Sequence, residues 1–472
     1  MKKFTSLVLA GAVGLAGCAD QVTSPEAVAP VLSLSQSGTP VSDQHLVVFK
    51  GKAPQDFEAQ VARLGGTVAM NHKIGVAVVA GLNEASASAL KTAVNADFVE
   101  PAPELMLVDP AATGEPVLAE ALAAAAPLAA APASATNPAG AILFANQWNM
   151  RQVRADEAWA AGRLGSSSVT VAILDTGIDY LLPDLTGRVD LSRSISFEPR
   201  DDVYAAVYFP GRHPSTDLHY HGTNVATQVA SNAWAFAGVT SQTTLMSVKV
   251  CSVLGGCRGV TQGILYAIDN GADVINMSLG GWFSRAANPG AVAAYNRIFN
   301  YAAQQGVTIV VAAGNDANDL DTHKNIAIKD ASGAIVDRVH VPSFFAAYCD
   351  ATHVICVSAT RNNDVPASYT NYGRSAIDVA APGGGSGDWV YSLCPQTSLL
   401  YNCAGGYYTI GVAGTSQAAP HVAGLAALAV EDVGRRPAQV AAYIRNSADA
   451  IGGGNTAYYG KGRINVATAV GQ

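Results

Sequence analysis

Val169-Thr170-Val171-Ala172-Ile173-Leu174, followed at once by Asp175-Thr176-Gly177, is the stretch that decides the fold. A run of β-branched and apolar residues without polar alternation describes a strand buried on both faces, as in a parallel sheet covered by helices. Five more runs share that character: Leu245–Val250, Val274–Met277, Val307–Ala312, Val354–Ala359 and Ala376–Ala380. Helical patterns fall between and after them, at Thr261–Asn270, Ala291–Gln305 with Gly306 as its stop, His421–Val433 and Pro437–Asn446. The alternation predicts one α/β domain over residues 142–472.

Working outward, the segment 45–109 reads differently. A strand at His45–Phe49 precedes a helix at Pro54–Leu64. Two strands about a turn near Asn71-His72 follow within Thr67–Leu82, then a helix capped by Asn83 and a strand over Phe98–Val108. The order β-α-β-β-α-β predicts a small ferredoxin-like α+β domain. Residues 110–141 are rich in Ala and Pro and read as a linker with no core of its own.

Lys2, Lys3 and the apolar Leu7–Leu15 form the charged and apolar regions of a secretory signal peptide over residues 1–17, too short to span a bilayer. Leu15-Ala16-Gly17-Cys18 resembles the lipobox of bacterial lipoproteins. That resemblance implies acylation of Cys18 and a Ser/Thr/Pro-rich tether over 18–44. With Ala19 next to the cysteine, it also implies onward export to the outer membrane. An ordinary signal peptide containing a cysteine is the alternative.

Composition narrows the function classes. The 472 residues carry 28 Lys+Arg against 36 Asp+Glu, a net charge of −8, with no basic run, which argues against a nucleic-acid partner. Apolar residues make up 49%, enough to bury a large core, yet no apolar run reaches the roughly 20 residues of a membrane span. Six cysteines fall in close pairs, Cys251/Cys257, Cys349/Cys356 and Cys394/Cys403. In an oxidising compartment proximity favours three local disulfides, with free buried thiols as the alternative.

In an open parallel sheet, ligands bind beyond the carboxyl ends of the strands. The first polar residues past three runs are Asp175, Asn315 (after Ala313-Gly314) and Ser278 (before Leu279-Gly280-Gly281). His221-Gly222-Thr223 opens a small-residue run, and Gly414-Thr415-Ser416 leads into a helix. Pro420 is tolerated only near that helix's start, so Ser416 sits among its unpaired N–H groups. Taken alone it is an N-cap serine. With the others it completes the set an acyl-transfer site needs: nucleophile Ser416, base His221, orienting carboxylate Asp175 and oxyanion donor Asn315. His421, five residues after Ser416, points about 140° away on the helix and reads as a packing residue. His213 and His219 lie in a polar loop and are expected at the surface.

At these residues the chain resembles the subtilisin-like serine peptidases. Val171–Asp179 is similar to their aspartate block, His221–Ala226 to their histidine block, and Gly414–Gly424 to their serine block, in the order Asp…His…Ser. The likeness extends through Val274–Gly281, Ala312–Asn315 and Tyr459–Asn465. It implies a serine endopeptidase whose triad is Asp175, His221 and Ser416, with Asn315 in the oxyanion hole. Ser278, Leu279, Gly280, Ala313 and Gly314 are then implied to bind polypeptide substrate. The segment 45–109 resembles the family's inhibitory propeptide, implying a monomeric zymogen that processes itself. Its lipid-anchored precursor would sit at the bacterial envelope, and its mature domain would be periplasmic or extracellular. No cofactor is needed for the chemistry. Asp184 matches a calcium ligand of some members, so a structural calcium is one expectation. Asn224 replaces a usual His and Thr227 a usual Gly, which predicts altered packing. An esterase with the same triad, or a binding lipoprotein on an inactive scaffold, remain as rivals.

Overall fold

The structure is a computed structural model; it describes residues 44–472 apart from 104, 108–116, 120–134, 323–324, 330–334, 341–343, 347 and 455. The expected signal peptide, Cys18 and the expected tether up to residue 43 lie outside the described residues, and Gln44 belongs to the first strand instead.

The small domain runs β1 (Gln44–Val48), α1 (Phe57–Arg63), β2 (Thr67–His72), β3 (Val76–Ala80), α2 (Glu84–Ala93) and β4 (Phe98–Pro101). Its antiparallel sheet has the order β2-β3-β1-β4, the ferredoxin-like arrangement the sequence predicts. The turn falls at residues 73–75, later than expected. There Gly75, at φ +76°, lies so close to Gly51 that a Cβ would meet the Gly51 carbonyl oxygen at 1.8 Å. Asn83 caps α2 by accepting from the Ser86 N–H at 2.8 Å. Period-two alternation gives the sheet two apolar faces. Val47, Ala77 and Val79 pack with Phe57, Val61 and Leu90 under the two helices. Leu46, Val48, Val76 and Val78 instead join the core of the large domain.

Two short strands depart from expectation. The predicted strand Phe98–Val108 is broken, because β5 (Leu105–Leu107) leaves the small sheet and pairs elsewhere. The stretch expected to be a linker with no core of its own carries β6 (Val117–Ala119), and Ala141 at its end is buried in the large domain's core. Neighbouring strands satisfy the backbone of both segments, which local composition does not reveal.

The large domain continues with α3 (Trp148–Gln152), α4 (Ala155–Ala160), β7 (Thr170–Asp175), β8 (Ile195–Ser196), α5 (Pro199–Tyr208), α6 (His221–Val229) and β9 (Thr244–Lys249). Next come β10 (Gly256–Cys257), α7 (Val260–Asp269), β11 (Val274–Met277), β12 (Leu279–Gly280), β13 (Trp282–Ser284), α8 (Pro289–Gln304) and β14 (Thr308–Ala312). After β15 (Asn325–Lys329), β16 (Ile335–His340) and β17 (Phe344–Ala346) follow β18 (Val354–Thr360), β19 (Val379–Pro382), β20 (Val390–Leu393) and β21 (Thr409–Val412). Two long helices, α9 (Thr415–Val433) and α10 (Pro437–Asn446), precede the C-terminal turns. Seven parallel strands in the order β19-β18-β14-β11-β7-β9-β8 form the central sheet. Ala172, Leu174, Ile275, Met277, Ile309 and Val311 share one core with residues of α7 and α8. Val171, Ile173, Val274, Val310 and Ala312 share the other with α6, α9 and α10. Buried strands thus read as solid apolar runs because each face meets helices. The three cysteine pairs are disulfides, Cys251–Cys257, Cys349–Cys356 and Cys394–Cys403.

Candidate active site

Asp175 ends β7, and the chain must turn sharply there. Gly177 has φ +106°, and a Cβ on it would meet the Ser215 carbonyl oxygen at 2.4 Å. The first turn of α6 then packs on this turn so closely that a Cβ on Gly222 would lie 2.1 Å from the Gly177 oxygen. Asp175-Thr176-Gly177 and His221-Gly222 are therefore one steric unit. It sets His221 Nδ1 2.8 Å from Asp175 Oδ1, with both side chains fully buried. A second Asp175 contact, from the Thr176 N–H at 2.8 Å, fixes that carboxylate.

Helix α9 carries Ser416 in its first turn and crosses α6 at small residues; a Cβ on Gly424 would press on Val239 at 2.6 Å and on the Val229 oxygen at 3.1 Å. Ser416 Oγ donates to the Ser278 carbonyl at 3.2 Å. Pro420 lies inside α9 and has no N–H for the Ser416 carbonyl four residues earlier. The Ser278 hydroxyl donates to that carbonyl instead, at 2.7 Å, and itself accepts from Asn276 Nδ2 at 3.0 Å. Asn315 Oδ1 accepts from the Thr415 N–H and Oγ1, both at 2.9 Å, which fixes the amide and makes Nδ2 its donor end. Gly314 N–H donates to Thr415 Oγ1 at 3.1 Å, and Asn371 Nδ2 to the Ala313 carbonyl at 2.8 Å. By these bonds Asp175 at the end of β7 meets His221 at the start of α6, while Ser278 after β11 and Asn315 after β14 meet Ser416 and Thr415 at the start of α9. The arrangement offers a hydroxyl at a helix N-terminus, a carboxylate-oriented imidazole and a fixed amide.

One edge beside Ser278 is occupied. Strand β5 adds antiparallel to β12, Leu107 opposite Leu279 and Met106 opposite Gly280, and its other edge pairs with β10. Downstream, β6 adds to β21, Ile410 opposite Leu118. The small domain is clamped beyond β5: the Glu100 carboxylate accepts the N–H groups of Gly290 and Ala291 at the start of α8, at 3.0 and 3.2 Å. Arg297 Nη1 donates to the Phe49 carbonyl at 2.5 Å.

The Subtilase family profile matches residues 166–462. The chain belongs to the subtilase family. It is a subtilisin-like serine peptidase, a hydrolase. Thermitase of Thermoactinomyces vulgaris is 32% identical over 329 residues, covering 69% of this chain and 95% of the relative. A thermophilic serine proteinase of Bacillus is 32% identical over 329 residues, covering 69% and 67%. The epidermin leader peptide processing serine protease from Staphylococcus aureus shares the fold, with a TM-score of 0.67 at 19% identity over 91% of this chain and 98% of that one.

Several residues behind this subtilase site escape sequence reasoning. Asp217 is fully buried and joins the two blocks. It accepts from Thr176 Oγ1 at 2.9 Å, from the Thr223 N–H at 2.9 Å and hydroxyl at 2.6 Å, and from the His219 N–H at 2.9 Å. Burial pushes its carboxyl up to about 6 against those bonds. An acid six residues before a threonine in the first turn of a helix is its only local signal. His219, expected at the surface, is buried and stacked on Tyr220, ring centroids 4.1 Å apart. Its Nδ1 accepts the His221 N–H at 3.3 Å, so it braces the start of α6. Burial, with His221 and Lys249 nearby, holds its pKa well below the usual value, favouring the neutral ring. His213 is half-buried, its Nδ1 against Ser215 Oγ at 2.9 Å. His421 is the packed helix residue expected, between the Gln417 carbonyl at 2.7 Å and Asn149 Nδ2 at 2.8 Å. Asn224 ties α6 to its surroundings, donating to Ser392 Oγ at 3.0 Å and accepting from Gln417 Nε2 at 3.3 Å.

Asp184 does not fit a calcium ion. Its carboxylate accepts the N–H groups of Trp234, Ala235 and Phe236 at 2.9, 2.8 and 3.2 Å, so its lone pairs face donors. Burial raises its pKa to about 7 despite those bonds. Among the described residues no three His, Cys, Asp or Glu side chains gather to hold a metal ion.

Proposed function

We propose that this chain is the self-processing precursor of an exported serine endopeptidase in which Ser416 is the nucleophile, His221 the base and Asp175 its orienting partner. Ser416 Oγ attacks the scissile carbonyl while His221 Nε2 takes its proton and later passes it to the leaving amine. Asp175 holds Nδ1 and stabilises the imidazolium. The Asn315 Nδ2 group and the Ser416 N–H at the head of α9 donate to the developing oxyanion.

The observation that carries this reading is β5. It lies as an added strand on Leu279–Gly280, whose neighbour Ser278 touches Ser416. An extended peptide there gains main-chain hydrogen bonds with few sequence demands. A groove built for peptide backbone favours an amide substrate over a simple ester. A complete set of site residues disfavours the inactive-scaffold rival. With β5 on one side and β6 on the other, self-cleavage falls between Leu107 and Val117. The small domain then acts as inhibitor in trans, clamped by Glu100 and Arg297. Cys18 acylation would tether the precursor through this N-terminal part, so processing separates the enzyme from its lipid. Among the described residues no helix is long and apolar enough to cross a membrane.

Casein hydrolysis by wild type and Ser416→Ala tests the assignment. Removal of the nucleophile is expected to cost about 10⁶ in turnover, the scale measured in subtilisin itself. Comparable hydrolysis by both proteins refutes it.

A further inference from the structure

Residues Cys251–Cys257 form a hairpin to which the proposed chemistry assigns no part. Its two ends meet twice, in an antiparallel bridge and in the Cys251–Cys257 disulfide, and inside it the Ser252 N–H donates to the Gly256 carbonyl at 2.9 Å. One arm is fixed to the site: the Cys251 N–H donates to the carbonyl of Asp175 at 3.1 Å. The tip is held by the Val253 N–H, which donates to the Asp201 carboxylate at 2.9 Å, and Asp201 pairs with the buried Lys249 at 3.0 Å. The far arm is β10. It places Cys257 opposite Leu105 and Gly256 opposite Met106, and the Gly255 carbonyl accepts the Leu107 N–H at 2.9 Å.

The two edges that grip β5 are therefore held very differently. Strand β12 follows directly from β11 of the central sheet, whereas β10 has only two residues and belongs to no sheet except the one that β5 completes. A strand that short, at the end of a loop, has many alternative positions, and covalent closure of the loop removes them.

We propose that the Cys251–Cys257 disulfide positions substrate. It holds β10 at the separation where an extended peptide pairs on both edges at once, and it ties that edge to the strand end bearing Asp175. The bridge thus serves binding of the residues N-terminal to the scissile bond and leaves bond cleavage to the triad. This inference rests on the protease reading above.

The test uses processed enzyme and two probes: acetyl-Leu-Met-Leu-Val anilide, which repeats residues 105–108, and acetyl-Val methyl ester, which cannot reach β10. Cys251→Ser/Cys257→Ser is expected to raise KM for the tetrapeptide about ten-fold, the loss of one or two net hydrogen bonds, with kcat within about two-fold. Turnover of the ester stays within about two-fold. Gly255→Ala keeps the disulfide but strains the turn, since Gly255 has φ +84°. It should raise the same KM selectively, by a smaller factor. Cys349→Ser/Cys356→Ser removes a disulfide that lies in neither strand pairing with β5 and should leave the ratio between the two probes unchanged. Equal losses on both probes, or no change in the tetrapeptide KM with either hairpin variant, overturn the hairpin's role alone. Wild-type enzyme that turns over neither probe overturns the protease reading and this inference with it.

Discussion

Ser278 offers the sharpest check on how the nucleophile is held. Pro420 leaves the Ser416 carbonyl without its intrahelical donor, and Ser278 Oγ supplies a bond to that carbonyl at 2.7 Å in a fully buried site. Ser278→Ala strands a buried carbonyl and the Asn276 amide that donated to the hydroxyl. A buried group losing its partner costs about 1–3 kcal/mol. Pro420→Ala restores an N–H four residues after Ser416, so the double variant should recover much of the loss. A double-mutant cycle is expected to give a coupling of about 1–2 kcal/mol, since the two residues serve one carbonyl. Denaturant unfolding in a Ser416→Ala background, free of self-digestion, measures it. In the active background Ser278→Ala should also lower kcat, because the backbone of the nucleophile loses a fixed point. Strict additivity, with coupling below about 0.3 kcal/mol, would falsify the claim that Ser278 stands in for the donor Pro420 lacks.

Two further outcomes follow from the same geometry. Asn315→Ala should lower kcat by about 10²–10³ with little change in KM, a range taken from the corresponding asparagine of subtilisin; a large KM effect with kcat intact would show that Asn315 binds ground-state substrate instead. His421 is fully buried and burial holds its pKa down, from 6.5 to about 4. The folded value lies below the unfolded one, so the unfolded chain binds the extra proton between those pH values, and stability present above pH 6.5 is lost as pH falls toward 4. The loss is of order 3 kcal/mol. His421→Gln should flatten that part of the stability–pH curve, and an unchanged slope would remove His421 as its source.

The central sheet was legible in advance because each buried strand is a solid apolar run, and Val274–Met277 and Pro437–Asn446 end where the sequence places them. The rim was legible because strand ends expose their first polar residue, as at Asp175 and Asn315. What local pattern hides is pairing at a distance. Leu105–Leu107 looks like the continuation of Phe98, yet its partners are Gly256 and Leu279, more than a hundred residues away in sequence. Val117–Ala119 looks like low-complexity linker until Thr409–Val412 gives it an edge to join. His219 is misread for a related reason. A polar loop suggests solvent, but here the loop is folded under α6, where Asp217 and His219 supply its first N–H partners. Ser278 was expected at the substrate edge, and its second role depends on Pro420 in a helix reached 142 residues later.

The central claim is that Ser416 cuts its own chain between the two strands that flank the site. Intact-mass and N-terminal sequence measurements on purified wild type and Ser416→Ala test it most directly. Wild type should yield a new N-terminus between Leu107 and Val117, while Ser416→Ala stays a single uncut chain. A Ser416→Ala protein cleaved at the same bond, purified away from other proteases, would contradict the account.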